Sequence, residues 1–262
     1  MTKVKAIILA AGQGTRLRPL TDDKPKAMVE LNGLPLLLRQ KEILKESGVN
    51  DIFVVTGYKE EKIAYPDLKK YYNPAFASTN MVASLYCARE LFNGETDIII
   101  SYGDIVYESK VINALLDSKY NISVIVDKNW YALWEVRMEE PLSDAETLKT
   151  DKEDNIIEIG KKPESVKDIQ GQYIGLIKIS KEFAKKFFHL YESLDKKNTL
   201  YDGKDRDNMY MTTYLQLLIN NYVKIKAVYV HNGWIEVDSL EDLSVYEDLI
   251  KIGSIKNIIA IE

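Results

Sequence analysis

Residues 5–10 form an apolar run, Lys5-Ala-Ile-Ile-Leu-Ala10, which stops at Gly12-Gln-Gly14. An unbroken apolar stretch of this length reads as a strand buried on both faces, the habit of a parallel strand in an α/β sheet. Glycines directly after such a strand mark a loop whose backbone can approach a ligand closely. Residues 36–48 follow with helical spacing: Leu36, Leu37, Ile43 and Leu44 share a face, and Gly48 suits a helix terminus. Asp51-Ile-Phe-Val-Val-Thr56 is a second buried strand, closed by Gly57. Strand, loop, helix and strand in this order define a βαβ unit and hence a parallel sheet.

The pattern continues down the chain. Ser78-Thr79-Asn80 can cap a helix running to about residue 92, with Met81, Leu85, Ala88 and Phe92 on one side. Residues 96–101 predict a third buried strand, which ends at Tyr102-Gly103-Asp104, so an acid sits just beyond a strand's carboxyl end. Ligands of open α/β sheets collect at that edge. Residues 111–118 predict a helix and 121–127 another strand. From residue 130 to about 179 the pattern changes to short strands and turns, an antiparallel-rich region. Residues 180–194 and 209–220 return to helix, 227–230 to strand, and the tail from residue 240 is helical. No repeat or low-complexity linker divides the 262 residues. The expectation is one α/β domain over 1–262: a Rossmann-like, mostly parallel mixed sheet with helices on both faces and a small antiparallel subregion. Residues 1–128 would form one half of the domain, 129–239 the other, and 240–262 a helical tail.

Bulk chemistry removes several classes of function. Forty acidic against 35 basic residues leave a net charge of -5, a poor match for a nucleic-acid binder, which needs a basic face. The single cysteine, Cys87, permits neither an intramolecular disulfide nor a Cys-rich zinc site. No segment approaches the roughly 18 apolar residues of a membrane span. A soluble cytoplasmic protein, without nucleic-acid or membrane partners, is expected.

The densest information lies in Leu9-Ala-Ala-Gly-Gln-Gly-Thr-Arg-Leu-Arg-Pro-Leu-Thr21, followed by Lys24-Pro-Lys26. Backbone amides around Gly12 and Gly14 can form an anion nest. Arg16 and Lys26 add charge for a triphosphate, and Pro25 restrains the backbone beside Lys26. The spacing is not that of a Walker loop, and Leu17 stands where a dinucleotide loop would place its third glycine. A Gly-x-Gly pair alone would read as a structural turn. Arginine, proline and lysine in the same register argue for phosphate binding.

This stretch resembles the amino-terminal signature of the sugar-phosphate and choline-phosphate nucleotidyltransferases, matched over residues 6–26 almost without gaps. The resemblance implies that Leu9, Ala10, Ala11, Gly12, Gly14, Thr15, Arg16, Lys26, Asn80, Ser84 and Asp104 contact the nucleotide. It also implies Arg16 and Lys26 in catalysis, and Mg2+ held by Asp104 in Tyr102-Gly-Asp-Ile105 and Asp238 in Trp234-Ile-Glu-Val-Asp238. Two aspartates suit a hard cation that also takes phosphate oxygens and water. On its own, Asp104 could equally be a turn residue, and Asp238-Ser239 an N-cap.

Thr79-Asn-Met81, Gln172-Tyr-Ile-Gly175 and the Asp104 and Asp238 motifs are similar to the choline-phosphate cytidylyltransferases. A bacterial relative that uses phosphoglutamine shares more. There the match includes Asp127-Lys-x-Trp130, Leu133-Trp134, Pro141-Leu-x-Asp-Ala-Glu-Thr-Leu148, Ile159-Gly-Lys-Lys162 and Asn208-Met-Tyr-Met-Thr212. The resemblance implies transfer of CMP from CTP to a small phosphorylated acceptor, phosphoglutamine before phosphocholine, and admits a homodimer. A sugar 1-phosphate acceptor, or a regulatory subunit that binds nucleotide without turnover, stays open. Trp130, Trp134, Lys162, Gln172 and Glu236 are expected on the acceptor side. Trp130 and Trp134 offer cation–π faces or, four residues apart, two rings packed inward. Lys161 and Lys162 fit an acceptor phosphate or a solvated surface pair. His189, His231 and Cys87 read as structural.

Overall fold

The computed structural model describes residues 3–221 and 223–261. In chain order its strands are β1 (Val4–Ala10), β2 (Glu30–Leu31), β3 (Leu34–Pro35), β4 (Asp51–Thr56), β5 (Lys69–Tyr72), β6 (Asp97–Tyr102) and β7 (Ile105–Tyr107). Then come β8 (Ile122–Asp127), β9 (Leu148–Thr150), β10 (Ile156–Ile159), β11 (Gln172–Ile179), β12 (Ile225–Val230) and β13 (Trp234–Glu236). The helices are α1 (Leu36–Glu46), α2 (Met81–Tyr86), α3 (Ser109–Asp117), α4 (Trp130–Arg137), α5 (Lys181–Ala184), α6 (His189–Ser193), α7 (Met211–Asn220) and α8 (Leu240–Lys251).

Seven strands form the main sheet in the order β12-β8-β11-β6-β1-β4-β5. The first strand takes a central place, as its apolar run demands, and pairs in parallel with β4 and β6. Its side chains alternate between two buried layers: Ile7 and Leu9 face one, Ala6, Ile8 and Ala10 the other. Burial on both faces is what a continuous apolar run, without polar alternation, requires. Among the described residues no helix is long and apolar enough to cross a membrane.

Four local expectations change. Residues 130–137 form a helix rather than strands and turns. The reason was present in the spacing: Trp130, Leu133, Trp134 and Arg137 are its buried residues, one stripe of a 3.6-residue period. The helix opened by Asn80 stops at Tyr86, and Leu91 and Phe92 reach the core through a further 3-10 turn. Strand β11 is no part of a peripheral antiparallel region. It lies inside the main sheet, antiparallel to both β6 and β8. Only the β9–β10 hairpin and the two-stranded pairs β2–β3 and β7–β13 stand outside that sheet.

The helix expected over 180–194 is divided into α5 and α6. Neighbouring Phe187 and Phe188 are both buried. Phe187 packs on Phe92 and Tyr214, and Phe188 on Tyr86 and Phe92. Adjacent residues of a straight helix point about 100° apart, so the break lets both rings enter one aromatic cluster.

Candidate active site

The loop after β1 leaves the carboxyl edge of the sheet and turns through a short 3-10 segment, Thr15–Leu17. Leu17 is fully buried, so the position that would hold a dinucleotide loop's third glycine here anchors the loop in the core. Gly14 has φ 67°, and a Cβ there would sit 2.8 Å from Cβ of Lys26. Only glycine meets both conditions. The Thr21 hydroxyl donates to the Gly14 carbonyl at 2.7 Å and pins the loop's return.

One strand away, β6 ends at the Tyr102-Gly103-Asp104 turn. Gly103 presses so closely on β1 that a Cβ would lie 2.3 Å from the Leu9 carbonyl oxygen. Buried Gln40 of α1 holds the turn, donating to the carbonyls of Tyr102 (2.9 Å) and Ile105 (2.8 Å) and accepting from the Ser101 hydroxyl (2.7 Å). Antiparallel β7 and β13 then bring the distant carboxyl-terminal segment alongside. Glu236 pairs with Ile105, and the Val237 amide donates to the Asp104 carbonyl at 2.9 Å. Asp104 and Asp238 thus become neighbours across 134 residues of chain.

Asp238 is not the N-cap of α8. Ser239 takes that place, in a capping box with Asp242. Asp242 also accepts from the Asp238 amide (2.9 Å) and from Arg137 (3.0 and 3.3 Å), while Arg137 reaches Glu236 at 3.0 Å. One buried guanidinium therefore ties α4, β13 and the start of α8 together.

Three acids meet at this corner. One oxygen from each of Asp104, Glu236 and Asp238 lies within 4.8 Å of the others. Asp104 Oδ1 is buried without a hydrogen-bond partner. Carboxylate oxygens and an uncompensated acceptor are the donor set that a hard divalent cation takes, so the residues fit a metal. Glu236, expected on the acceptor side, joins the two aspartates. Burial pushes its carboxyl up to about 7; Arg137 acts against that, while Asp104 and Asp238 reinforce it.

Lys26 enters the same corner. Its ammonium donates to Asp104 at 2.6 Å and also pairs with Asp238. Burial acts to lower its pKa, but the Asp104, Asp238 and Glu236 carboxylates outweigh that and hold the ammonium above its ordinary value. Arg16 also pairs with Asp238, from a side chain that is 65% exposed. A buried lysine charge and a long solvent-reaching arginine therefore flank the acids on the loop side.

A cavity of about 350 Å³ opens over this edge. Leu9, Ala10, Ala11, Gly12, Gly14, Thr15, Arg16, Lys26, Asn80, Ser84 and Asp104 all line it, with Asp238. Gly12 faces open space there. Ala27, Phe76, Thr79, Met81, Tyr102 and Gly103 complete the wall without having been expected there from the sequence. Thr79 and Met81 flank a residue that was, and lie in the same motif. Asn73 organises this wall from behind, donating to Thr79 (3.0 Å) and Ser84 (2.9 Å).

A second cavity, about 310 Å³, adjoins the first and shares Arg16, Met81, Tyr102 and Asp238 with it. Trp134, Gln172 and Glu236 line it. Trp130 and Lys162 line neither cavity. Trp130 packs inward against Trp134, ring centroids 5.8 Å apart, and Lys162 is exposed. The neighbouring Lys161 pairs with Glu158 at 2.7 Å. Gln172 grips the backbone of residue 146, accepting from its amide at 3.4 Å and donating to its carbonyl.

Sequence reading passed over Glu146, Asp144 and Tyr173, which also line this cavity. Burial pushes the Glu146 carboxyl up to about 7, although a hydrogen bond from Thr212 acts against it. Asp144 and Glu146 lie in the motif of residues 141–148 and Tyr173 in that of 172–175, both shared with relatives, but nothing in either motif marks which of its residues faces a cavity.

Comparison with known proteins agrees with the geometry. The model of the MobA-like NTP transferase domain matches residues 6–160. The chain is 42% identical over 251 residues to CTP:phosphoglutamine cytidylyltransferase of Campylobacter jejuni, covering 92% of this chain and 98% of that protein. Choline-phosphate cytidylyltransferase of Streptococcus pneumoniae is 41% identical over 123 residues, 45% of this chain and 52% of that one. A solved structure of CTP:phosphocholine cytidylyltransferase from Streptococcus pneumoniae superposes with a TM-score of 0.69 at 22% identity, over 95% of this chain and 99% of its own, which establishes a shared fold. The glycine-rich loop, the acidic corner and these matches lead to one conclusion: the chain belongs to the MobA-like NTP transferase family and is a nucleotidyltransferase.

Proposed function

We propose that the protein is a cytidylyltransferase that moves CMP from CTP to a small phosphorylated acceptor and releases pyrophosphate. The observation that carries this reading is the junction of two cavities at one acidic corner. A nucleotide seated in the first would present its α-phosphorus toward the second, where the acceptor phosphate waits. Full-length identity to a phosphoglutamine enzyme favours CTP and makes phosphoglutamine the first acceptor to test, with phosphocholine next.

In this reaction an acceptor phosphate oxygen attacks the α-phosphorus. A new phosphorus–oxygen bond forms, and the bond to the β-phosphate oxygen breaks with its electron pair leaving on pyrophosphate. The attacking oxygen is already ionised near neutral pH, so no side chain has to remove a proton. The protein's task is alignment and neutralisation of charge. Asp104 and Asp238, with Glu236 beside them, would hold Mg2+, which supplies Lewis-acid polarisation of the α-phosphate. Lys26 would stabilise charge developing on the transferred phosphoryl group, and Arg16 would hold the departing phosphates. Gly12 and Gly14 leave the loop amides open to the triphosphate. A cytoplasmic setting with free nucleotides suits the reading.

Pyrophosphate release should be measured for the four common nucleoside triphosphates against phosphoglutamine, phosphocholine and a sugar 1-phosphate, with Mg2+ present. CTP with one of the first two acceptors is expected to exceed every other pairing by about tenfold or more in kcat/KM. A clear preference for UTP or for the sugar phosphate would overturn the reading. Arg16, Lys26, Asp104 and Asp238 are all present, which favours turnover over a purely regulatory role.

A further inference from the structure

The second cavity has an uneven distribution of charge. Among the described residues, Arg16 is the one lysine or arginine on its wall, and it lies at the junction with the nucleotide cavity. Of the four acids on that wall, Asp238 pairs with Arg16 and Lys26, and Glu236 pairs with Arg137. Asp144 and Glu146 line only the second cavity, and among the described residues neither has a cationic partner within ion-pair distance. The Glu146 carboxylate receives one weak contact, from the Thr212 hydroxyl at 3.5 Å.

Such an arrangement is costly for a protein with no ligand to compensate it. Asp144 is exposed, but Glu146 is half-buried, and a carboxylate partly withdrawn from water without a counter-charge loses hydration uncompensated. The position is nonetheless enforced, because Gln172 clamps the residue 146 backbone from β11 with both ends of its amide. An independent sign of a missing partner comes from the aromatic wall, where Trp134 is 4% exposed and its indole N–H is buried without a hydrogen-bond acceptor. Tyr102 and Tyr173 meet edge to face, centroids 5.8 Å apart, so aromatic surface flanks the acids.

Resting on the cytidylyltransferase reading, we propose that Glu146, with Asp144 at the mouth, selects acceptors carrying an ammonium group at the end remote from their phosphate. The phosphate then lies toward Arg16 and the ammonium toward Glu146. Tyr102 and Tyr173 line the cavity with the ring surface that cations favour, whereas the Trp134 ring already carries the Arg137 guanidinium, 5.2 Å from its centroid. Gln172 is a positioning residue, acting through Glu146. A sugar 1-phosphate brings hydroxyls but no cation, and leaves Glu146 uncompensated. A doubly functional acceptor of the phosphate–linker–ammonium kind satisfies both ends at once.

Matched acceptors provide the test: phosphocholine, phosphoglutamine, and the neutral carbon isostere of phosphocholine in which a quaternary carbon replaces the nitrogen. Initial rates of pyrophosphate release from CTP give kcat/KM for each. The wild-type protein is expected to prefer an ammonium acceptor over the neutral isostere by about thirtyfold. Glu146→Gln should reduce that preference about tenfold, through the acceptor KM, while the KM for CTP stays constant. Glu146→Asp, which keeps the charge, should retain most of it, and melting curves confirm that both variants fold. Selectivity that ignores the ammonium, or that Glu146→Gln leaves unchanged, overturns the inference alone. No pyrophosphate release with any acceptor overturns the cytidylyltransferase reading, and this inference with it.

Discussion

The two cavities are built in different ways. Half the residues lining the proposed nucleotide side are glycine, alanine, serine or threonine, with Ala10, Ala11, Gly12 and Gly14 in one loop, and its shape is set by a left-handed glycine and a crowded strand end. The acceptor side is mostly large side chains gathered from segments between residues 134 and 238. A backbone-lined site can serve any triphosphate whose charge it matches. One lined by side chains can be retuned one residue at a time. The contrast separates the part of the site concerned with phosphate chemistry from the part concerned with choosing a partner, and it can be tested by asking which substrate each substitution affects.

The largest effect is expected at the shared corner, where the contrast should disappear. Asp104→Asn should lower turnover roughly a thousandfold for every acceptor, with little change in melting temperature. Pyrophosphate release within tenfold of the parent would remove Asp104 from the chemistry.

Next comes Gly14→Ala. The left-handed backbone and the 2.8 Å approach to Lys26 make any Cβ costly. A loss of about 1–3 kcal/mol in stability is expected, together with a CTP KM raised roughly tenfold or more. The acceptor KM should hold constant. If it rises in parallel, the two sides are not separable.

A pH series probes the acceptor side through the ratio of kcat/KM for an ammonium acceptor to that for its neutral isostere, because Glu236, also pushed up to about 7, affects both acceptors alike. Glu146 is held by burial at about 7, above its ordinary value, with Thr212 opposing and Asp144 and Asp202 reinforcing. Protonated below that value and charged above it, the carboxyl should raise kcat/KM for an ammonium acceptor about tenfold from pH 6 to pH 8. The neutral isostere should show only the change common to both acceptors, so that the ratio of the two rises about tenfold. The sign for stability is the reverse. A raised acid pKa means that the folded state binds the proton more tightly than the unfolded chain. Stability is therefore lost as pH climbs from the ordinary value of 4.5 to about 7. Glu146→Gln should recover a few degrees of melting temperature at pH 8; equal melting at that pH would contradict an uncompensated charge.

The smallest effect belongs to Lys162. Exposed and outside both cavities, Lys162→Ala should change kcat and both KM values less than about twofold. A tenfold rise in acceptor KM would show that the acceptor reaches farther than the second cavity.

The same contrast explains what the sequence made legible. Residues 9–26 are contiguous, and their glycines, arginine and lysine carry chemistry at fixed spacing, so each one selected there lines the nucleotide cavity. Asp104 was readable from its place after a buried strand. Asp238 required the resemblance, because its neighbours form a genuine helix cap at Ser239. The acceptor wall was harder. Trp130 and Trp134 look alike in sequence, yet one turn of α4 sends only the second to the cavity. Glu146 looks like any loop acid. Its significance lies in the absence of a nearby cation, a property of the folded surroundings rather than of local sequence.

Strand β11 has a further consequence. Lying between β6 and β8, it joins the acceptor wall to the strand that presents Asp104: residues 176–179 pair with β6, and an irregularity in the pairing with β8 falls between Tyr173 and Ile177. No hinge line runs between the two pockets along this seam. Bringing the attacking oxygen to phosphorus thus falls to loops and swinging side chains, Arg16 foremost, and not to two lobes closing like a jaw.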